Sequence, residues 1–98
     1  MNINIEKTNG VTVFEIEGRL DTTTAPELEA AINGEGDALK SLVLDFKGVD
    51  YISSAGLRVL LTAQKKMNVQ GAMELTNVSE AVMDIFEMTG FADILVIK

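Results

Sequence analysis

The chain has 98 residues, 47% of them hydrophobic and 23% charged, with a formal net charge of −7. That length and balance predict one globular domain over residues 1–98 with one core, not a disordered segment. There is no cysteine and no histidine, which removes disulfides, thiolate chemistry and the usual neutral-pH general base, and the acidic excess disfavours nucleic acid and anionic membrane surfaces as partners.

Asn2-Ile3-Asn4-Ile5-Glu6 alternates polar and apolar residues, the period of an edge or half-buried strand. Asn9-Gly10 is a hairpin-turn pair. Val11 to Glu17 alternates again, with Val11, Val13, Glu15 and Glu17 on one face and Thr12, Phe14 and Ile16 on the other; Phe14 and Ile16 favour burial of theirs. The two runs predict an antiparallel hairpin. Gly18-Arg19-Leu20-Asp21 reads as a loop. Thr24-Ala25-Pro26-Glu27 opens a helix, with Thr24 as cap, Glu27 three residues on, and Pro26 in the first turn, where a missing N–H does little harm. Leu28, Ala31 and Ile32 follow at helical spacing, and Gly34 and Gly36 end the helix.

Ser41-Leu42-Val43-Leu44-Asp45-Phe46 is a nearly continuous apolar run, expected of a central strand covered on both faces. Tyr51-Ile52-Ser53-Ser54-Ala55-Gly56-Leu57 then reads as a strand-to-helix turn. The helix carries Leu57, Leu60, Leu61 and Met67, with Lys65 and Lys66 near its C-terminal end, where cations are favoured. Gly71 closes that connection and Ala72 to Thr76 is a short strand. Asn77-Val78-Ser79-Glu80 has the form of a capping box. Val78, Val82, Ile85 and Phe86 make the stripe of a third helix, which Thr89-Gly90 ends, and Ile94 to Ile97 is the last predicted strand. The order ββαβαβαβ predicts an α/β sandwich, helices against a mixed sheet, with right-handed crossovers and an antiparallel edge from the N-terminal hairpin. No apolar stretch is long enough to span a bilayer and no basic-then-apolar leader opens the chain, so no membrane insertion is expected and the expected location is cytoplasmic.

The adjacent hydroxyls of Ser53 and Ser54 carry the most chemistry. At a strand-to-helix turn they meet free backbone N–H groups and the positive end of the helix dipole, a setting that accommodates phosphate. Phosphorylation there would change the local charge by roughly −2 and add three acceptor oxygens. Taken alone, Ser54 reads first as a plain helix-start serine, and Ser53 is read as the capping residue. Asp21 has two readings, a turn residue ahead of a helix or a partner contact. Gly56 lets the helix start approach the sheet or a partner closely. Arg58 is a solvated or partner-facing charge. Thr22, Thr23 and Thr24 are loop and cap hydroxyls, with an interface role second. Met67, Met73, Met83 and Met88 are expected to fill core and rim. Asp45 and Asp50 flank the turn as a carboxylate pair of the kind used in acid–base chemistry or Mg²⁺ binding. No nucleophile–base pair and no Gly-rich phosphate loop accompany them. Neither an enzyme, a metal site nor a cofactor is therefore expected.

Three segments in order carry a family resemblance: Gly18-Arg19-Leu20-Asp21 before the first helix, Tyr51-Ile52-Ser53-Ser54-Ala55-Gly56-Leu57-Arg58 at the second, and Asp84-Ile85-Phe86-Glu87-Met88-Thr89-Gly90-Phe91 at the exit of the third. With the element order they resemble a STAS domain and, more narrowly, the bacterial anti-sigma factor antagonists, over nearly the whole chain. That family's commonest switch motif is Asp-Ser-Ser/Thr-Gly-Leu, with its first serine phosphorylated. Its glycine and leucine fall on Gly56 and Leu57, its phosphorylated serine on Ser54 and its aspartate on Ser53. Here the aspartate's charge is gone and Ser53 is left as a second hydroxyl. Asp21 matches the family's loop aspartate. The resemblance implies a docking face made of Asp21, Thr22, Thr23, Ser53, Ser54, Ala55, Gly56 and Arg58.

The resemblance also implies partner switching. The unphosphorylated protein would bind an anti-sigma factor, itself a serine kinase of the histidine-kinase-like ATPase type, and so release a sigma factor. The kinase would phosphorylate Ser54 and expel the antagonist, and a PP2C-like phosphatase dependent on divalent metal would restore it. Other STAS domains are constitutive scaffolding subunits of lipid-transport or signalling complexes without a phosphorylation cycle, and Ser53 in place of aspartate keeps that alternative open. The last predicted strand lies close to the end of the sequence, and no counterpart of the C-terminal helix of several family members is expected.

Overall fold

A computed structural model describes all 98 residues. Its first two strands, β1 (Asn2–Thr8) and β2 (Val11–Leu20), pair antiparallel with Thr8 opposite Val11 and Asn2 opposite Glu17. Asn9 and Gly10 join them with φ of 52° and 82°. Two successive positive φ values match the twist of the strands, which is why Asn-Gly is favoured at this kind of turn.

β2 continues through Gly18, Arg19 and Leu20, where the local pattern predicts a loop. The reason is a partner. β3 (Ser41–Ile52) outruns its apolar segment and lies parallel to β2, with Gly18 opposite Val49, Arg19 opposite Tyr51 and Leu20 opposite Ile52. Register shifts between Glu15 and Glu17 and between Gly18 and Arg19 break the alternation that marks a strand in sequence. β4 (Ala72–Thr76) pairs parallel with the first half of β3, and the sheet order is β1-β2-β3-β4. The last expected strand is reduced to one parallel bridge, Leu75 to Ile97, made by Leu75 N–H to Val96 O (2.8 Å) and Lys98 N–H to Leu75 O (2.9 Å). A 3₁₀ turn at Phe91–Asp93 takes up the chain just before it. The expected order therefore holds, its final β only a bridge.

Three helices, α1 (Ala25–Gly34), α2 (Ser54–Gln70) and α3 (Glu80–Thr89), connect these strands. Successive crossovers from β2 to β3 to β4 step in one direction along the sheet. Right-handed crossovers then put every helix on the same side. The rows Thr12–Leu42–Met73 and Phe14–Leu44–Leu75 face the helices and are buried. The rows Val13–Val43–Glu74 and Glu15–Asp45–Thr76 face away and keep solvent exposure. The apolar run of β3 is thus covered on one face and not on both.

The core joins Leu28 and Ile32 of α1, Leu60 and Met67 of α2, and Val82 and Phe86 of α3 to those buried rows. Each such side chain contributes about 1.5–3 kcal/mol by leaving water. The rings of Phe46 and Phe86 sit 6.4 Å apart at 47°, a tilted aromatic pair. Met67 and Met73 are buried as expected, whereas Met88 is 86% exposed and fills nothing. Ser79 caps α3 by accepting from Val82 N–H at 3.2 Å, and Gly90 closes that helix with φ 81°. The box expected at Thr24 and Glu27 does not form, because the Thr24 hydroxyl is used elsewhere. α2 runs on to Gln70, so Lys65 and Lys66 stand before its last turn.

Candidate functional site

Leu20 and Ile52 are buried cross-strand partners, so β2 and β3 end side by side. Ser53 N–H donates to Leu20 O at 2.9 Å and ties the β3–α2 turn to the end of β2. The β2–α1 loop and the first turn of α2 are thereby neighbours at one end of the molecule.

Asp21 organises that loop. Its Oδ1 accepts from Thr23 N–H (2.9 Å), the Thr23 hydroxyl (2.7 Å) and Thr24 N–H (3.1 Å). Its own N–H donates to Thr24 Oγ1 (2.9 Å), whose proton goes to Arg19 O (2.6 Å). Asp21 O accepts from Ala25 N–H at 2.8 Å, which starts the helical turn. The Thr23 hydroxyl, followed by the two backbone N–H groups, holds the Asp21 carboxyl below its ordinary pKa, against an opposing partial desolvation. Of the two readings of Asp21, the turn role is fully expressed. Thr22 and Thr23 are exposed, and Thr24 is half-buried.

The two serines part company. Ser53 is the N-cap residue of α2 by position, and its carbonyl accepts from Leu57 N–H at 2.9 Å. Its hydroxyl makes no capping bond. That oxygen is buried without a hydrogen-bond partner, which corrects the reading of Ser53 as a side-chain cap and removes its hydroxyl from any docking face. Ser54 is the first residue of α2 and is exposed, next to the exposed Arg58 one turn on.

Of the two readings of Gly56, close approach to the sheet is the one expressed. It is buried, and a Cβ there would lie 2.8 Å from Ile52 Cγ1, 2.8 Å from Leu20 Cγ and 3.0 Å from Leu20 O. Its bareness lets α2 sit closely on the sheet. Ala55 is half-buried and packs on the core. The expected face is therefore reduced to Asp21, Thr22, Thr23, Ser54 and Arg58, with Ala55 at its edge.

Sequence reasoning passed over Arg19 and Tyr51. The Arg19 guanidinium stands 4.2 Å from the Tyr51 ring centre and 3.9 Å from Asp21 Oδ2, a cation–π contact backed by a long ion pair. The signal was weak, because only the cross-strand register makes residues 19 and 51 neighbours. The Asp45 and Asp50 pair does not form a centre. Asp45 Oδ1 accepts from Lys47 N–H and Asn77 Nδ2, each at 3.0 Å, and so pins the β4–α3 loop to β3. Asp50 is exposed.

The family model of the STAS domain matches residues 2–98. The anti-sigma-B factor antagonist of Listeria monocytogenes is 34% identical over 107 residues, covering 100% of this chain and 90% of that one. An anti-sigma factor antagonist from Mycobacterium paratuberculosis superposes with a TM-score of 0.85 at 28% identity, over 98% of this chain and 83% of that one. The Bacillus cell fate determinant SpoIIAA in its phosphorylated form shares the fold, with a TM-score of 0.75 at 20% identity over 99% and 91% of the two chains. With a family model covering all but the first residue and an antagonist matched over the whole of this chain, the chain belongs to the STAS domain family, among the anti-sigma factor antagonists.

Proposed function

We propose that this protein is a phosphorylatable switch that binds an anti-sigma factor through the first turn of α2 and the β2–α1 loop, and so releases a sigma factor. The observation that carries this is the Ser54 hydroxyl, exposed on the first residue of a helix whose start is seated firmly on the sheet. In the bound state Ser54 is neutral and docks at small desolvation cost. The partner, an anti-sigma factor serine kinase, transfers the terminal phosphoryl group of ATP to Ser54 Oγ; the hydroxyl proton is lost and ADP leaves. A PP2C-like phosphatase then hydrolyses the ester to serine and inorganic phosphate.

The helix dipole stabilises the phosphate within the free protein, so modification leaves the fold intact. The same dianion in an interface without a counterion costs several kcal/mol. Even about 3 kcal/mol weakens binding roughly a hundredfold. The relatives' name as antagonists and the phosphorylated form of SpoIIAA support this reading. Incubation with the cognate anti-sigma kinase and ATP, followed by mass spectrometry, tests it. Phosphate is expected on Ser54 and absent from Ser54→Ala. A stable complex indifferent to ATP, with Ser54 unmodified, would turn the assignment toward a constitutive scaffold.

A further inference from the structure

We infer that Arg58 is the intrachain receiver of a phosphate on Ser54, and that phosphorylation thereby withdraws Arg58 from the docking face. This rests on the reading of Ser54 as the modified residue. The chain has just two arginines, Arg19 and Arg58, and both stand at this end of a molecule of net charge −7. Arg19 is engaged, lying on the Tyr51 ring and facing Asp21. Arg58 is exposed and takes part in neither of the two ion pairs, Lys7 with Glu35 and Arg19 with Asp21.

Helix geometry aims it at Ser54. Residues four apart share a face, with Cβ atoms about 5–6 Å from each other. Side chains on a helix lean toward its N-terminus, so a residue covers the turn before its own Cα. Arg58 therefore lies over Ser54 and not over Thr62. No acidic residue stands three or four positions from Arg58 in either direction, where Ser54, Ala55, Leu61 and Thr62 are found. The next cation on α2 is Lys65, eleven residues from Ser54 and about 16 Å along the axis. A guanidinium pairs with phosphate in a two-pronged fork that an ammonium does not reproduce. In the unmodified protein the same fork is free for a carboxylate of the partner. One modification thus adds charge at Ser54 and removes an available cation beside it.

The test uses full-length protein with phosphoserine incorporated at position 54 during translation, so that it needs no kinase. The phosphate is titrated by ³¹P NMR at low ionic strength, and Arg58→Gln is compared with the unsubstituted chain. The second phosphate pKa, near 6 for a free phosphoserine, is expected to lie lower in the unsubstituted chain and to rise by about half a unit in Arg58→Gln. Arg58→Lys restores part of the shift, and the difference shrinks at high salt. Identical titration curves for Arg58→Gln and the unsubstituted chain would overturn the pairing. An unreactive Ser54 in the kinase assay would instead count against the proposed switch while leaving this measurement meaningful.

Discussion

Gly56→Ala probes the seat of α2, on which the placement of Ser54 depends. The added methyl would stand 2.8 Å from both Ile52 Cγ1 and Leu20 Cγ and 3.0 Å from Leu20 O. Relaxed carbon contacts lie at about 3.5–4.0 Å, so the first turn of α2 must retreat by roughly an ångström. Overpacking of this kind costs about 1–3 kcal/mol. The upper half of that range applies, because Leu20 O is backbone and accepts from Ser53 N–H. Replacing a helical glycine by alanine returns about 1 kcal/mol through propensity, leaving a net loss of about 1–2 kcal/mol. For a domain of this size that lowers Tm by roughly 5–15 °C, read by calorimetry or circular dichroism. Partner binding should weaken as well, since Ser54 moves with the helix. A Tm equal to or above that of the parent chain would refute the close seat of α2 against β2 and β3.

Ser54→Asp should leave Tm unchanged or raise it by up to roughly a few degrees, because an acidic side chain at a helix start is worth about 0.3–1 kcal/mol; binding to the anti-sigma kinase, followed by calorimetry, should fall sharply, and a collapsed fold would contradict an interface switch. Ser53→Ala and Ser79→Ala should separate two serines that look alike in sequence. Ser79→Ala loses a real cap and about 1 kcal/mol, while Ser53→Ala removes a buried unpartnered hydroxyl and leaves stability unchanged or raises it by up to about 1 kcal/mol; equal losses in urea titrations would show that Ser53 caps after all. The Asp21 carboxyl is held below its ordinary value of 3.8, so the fold favours the ionised form. Its stabilisation is complete above the unfolded carboxylate range and is lost as pH falls through the lower folded value. Thermal unfolding across that range should show the gap between the parent chain and Asp21→Asn closing on acidification, and a gap that stays constant would deny the loop its carboxylate-centred bonds.

What the sequence determined by itself was whatever depends on neighbours in the chain. The Asn9-Gly10 turn, the alternation of β2 around Phe14 and Ile16, the Ser79 cap and the stripe of α3 are local, and each was legible because turn geometry, pleat and helical period act over a few residues. The motif order was legible too, and with it the family and the place of Ser54 at a helix start. Tertiary structure decided the rest. Gly18 to Leu20 became strand only because β3 lies alongside. The apolar run of β3 is covered on one face only, because the crossovers from β2 to β3 and from β3 to β4 step the same way along the sheet. Thr24 and Ser53 took other roles than their residue types advertise, and Gly56 shows which of its two close approaches is made. A hydroxyl or a bare Cα is defined by what surrounds it: Arg19 O accepts from Thr24, the Ser53 oxygen is buried without a partner, and Leu20 and Ile52 crowd Gly56. Burial is a property of the assembled molecule, and no window of a few residues contains it.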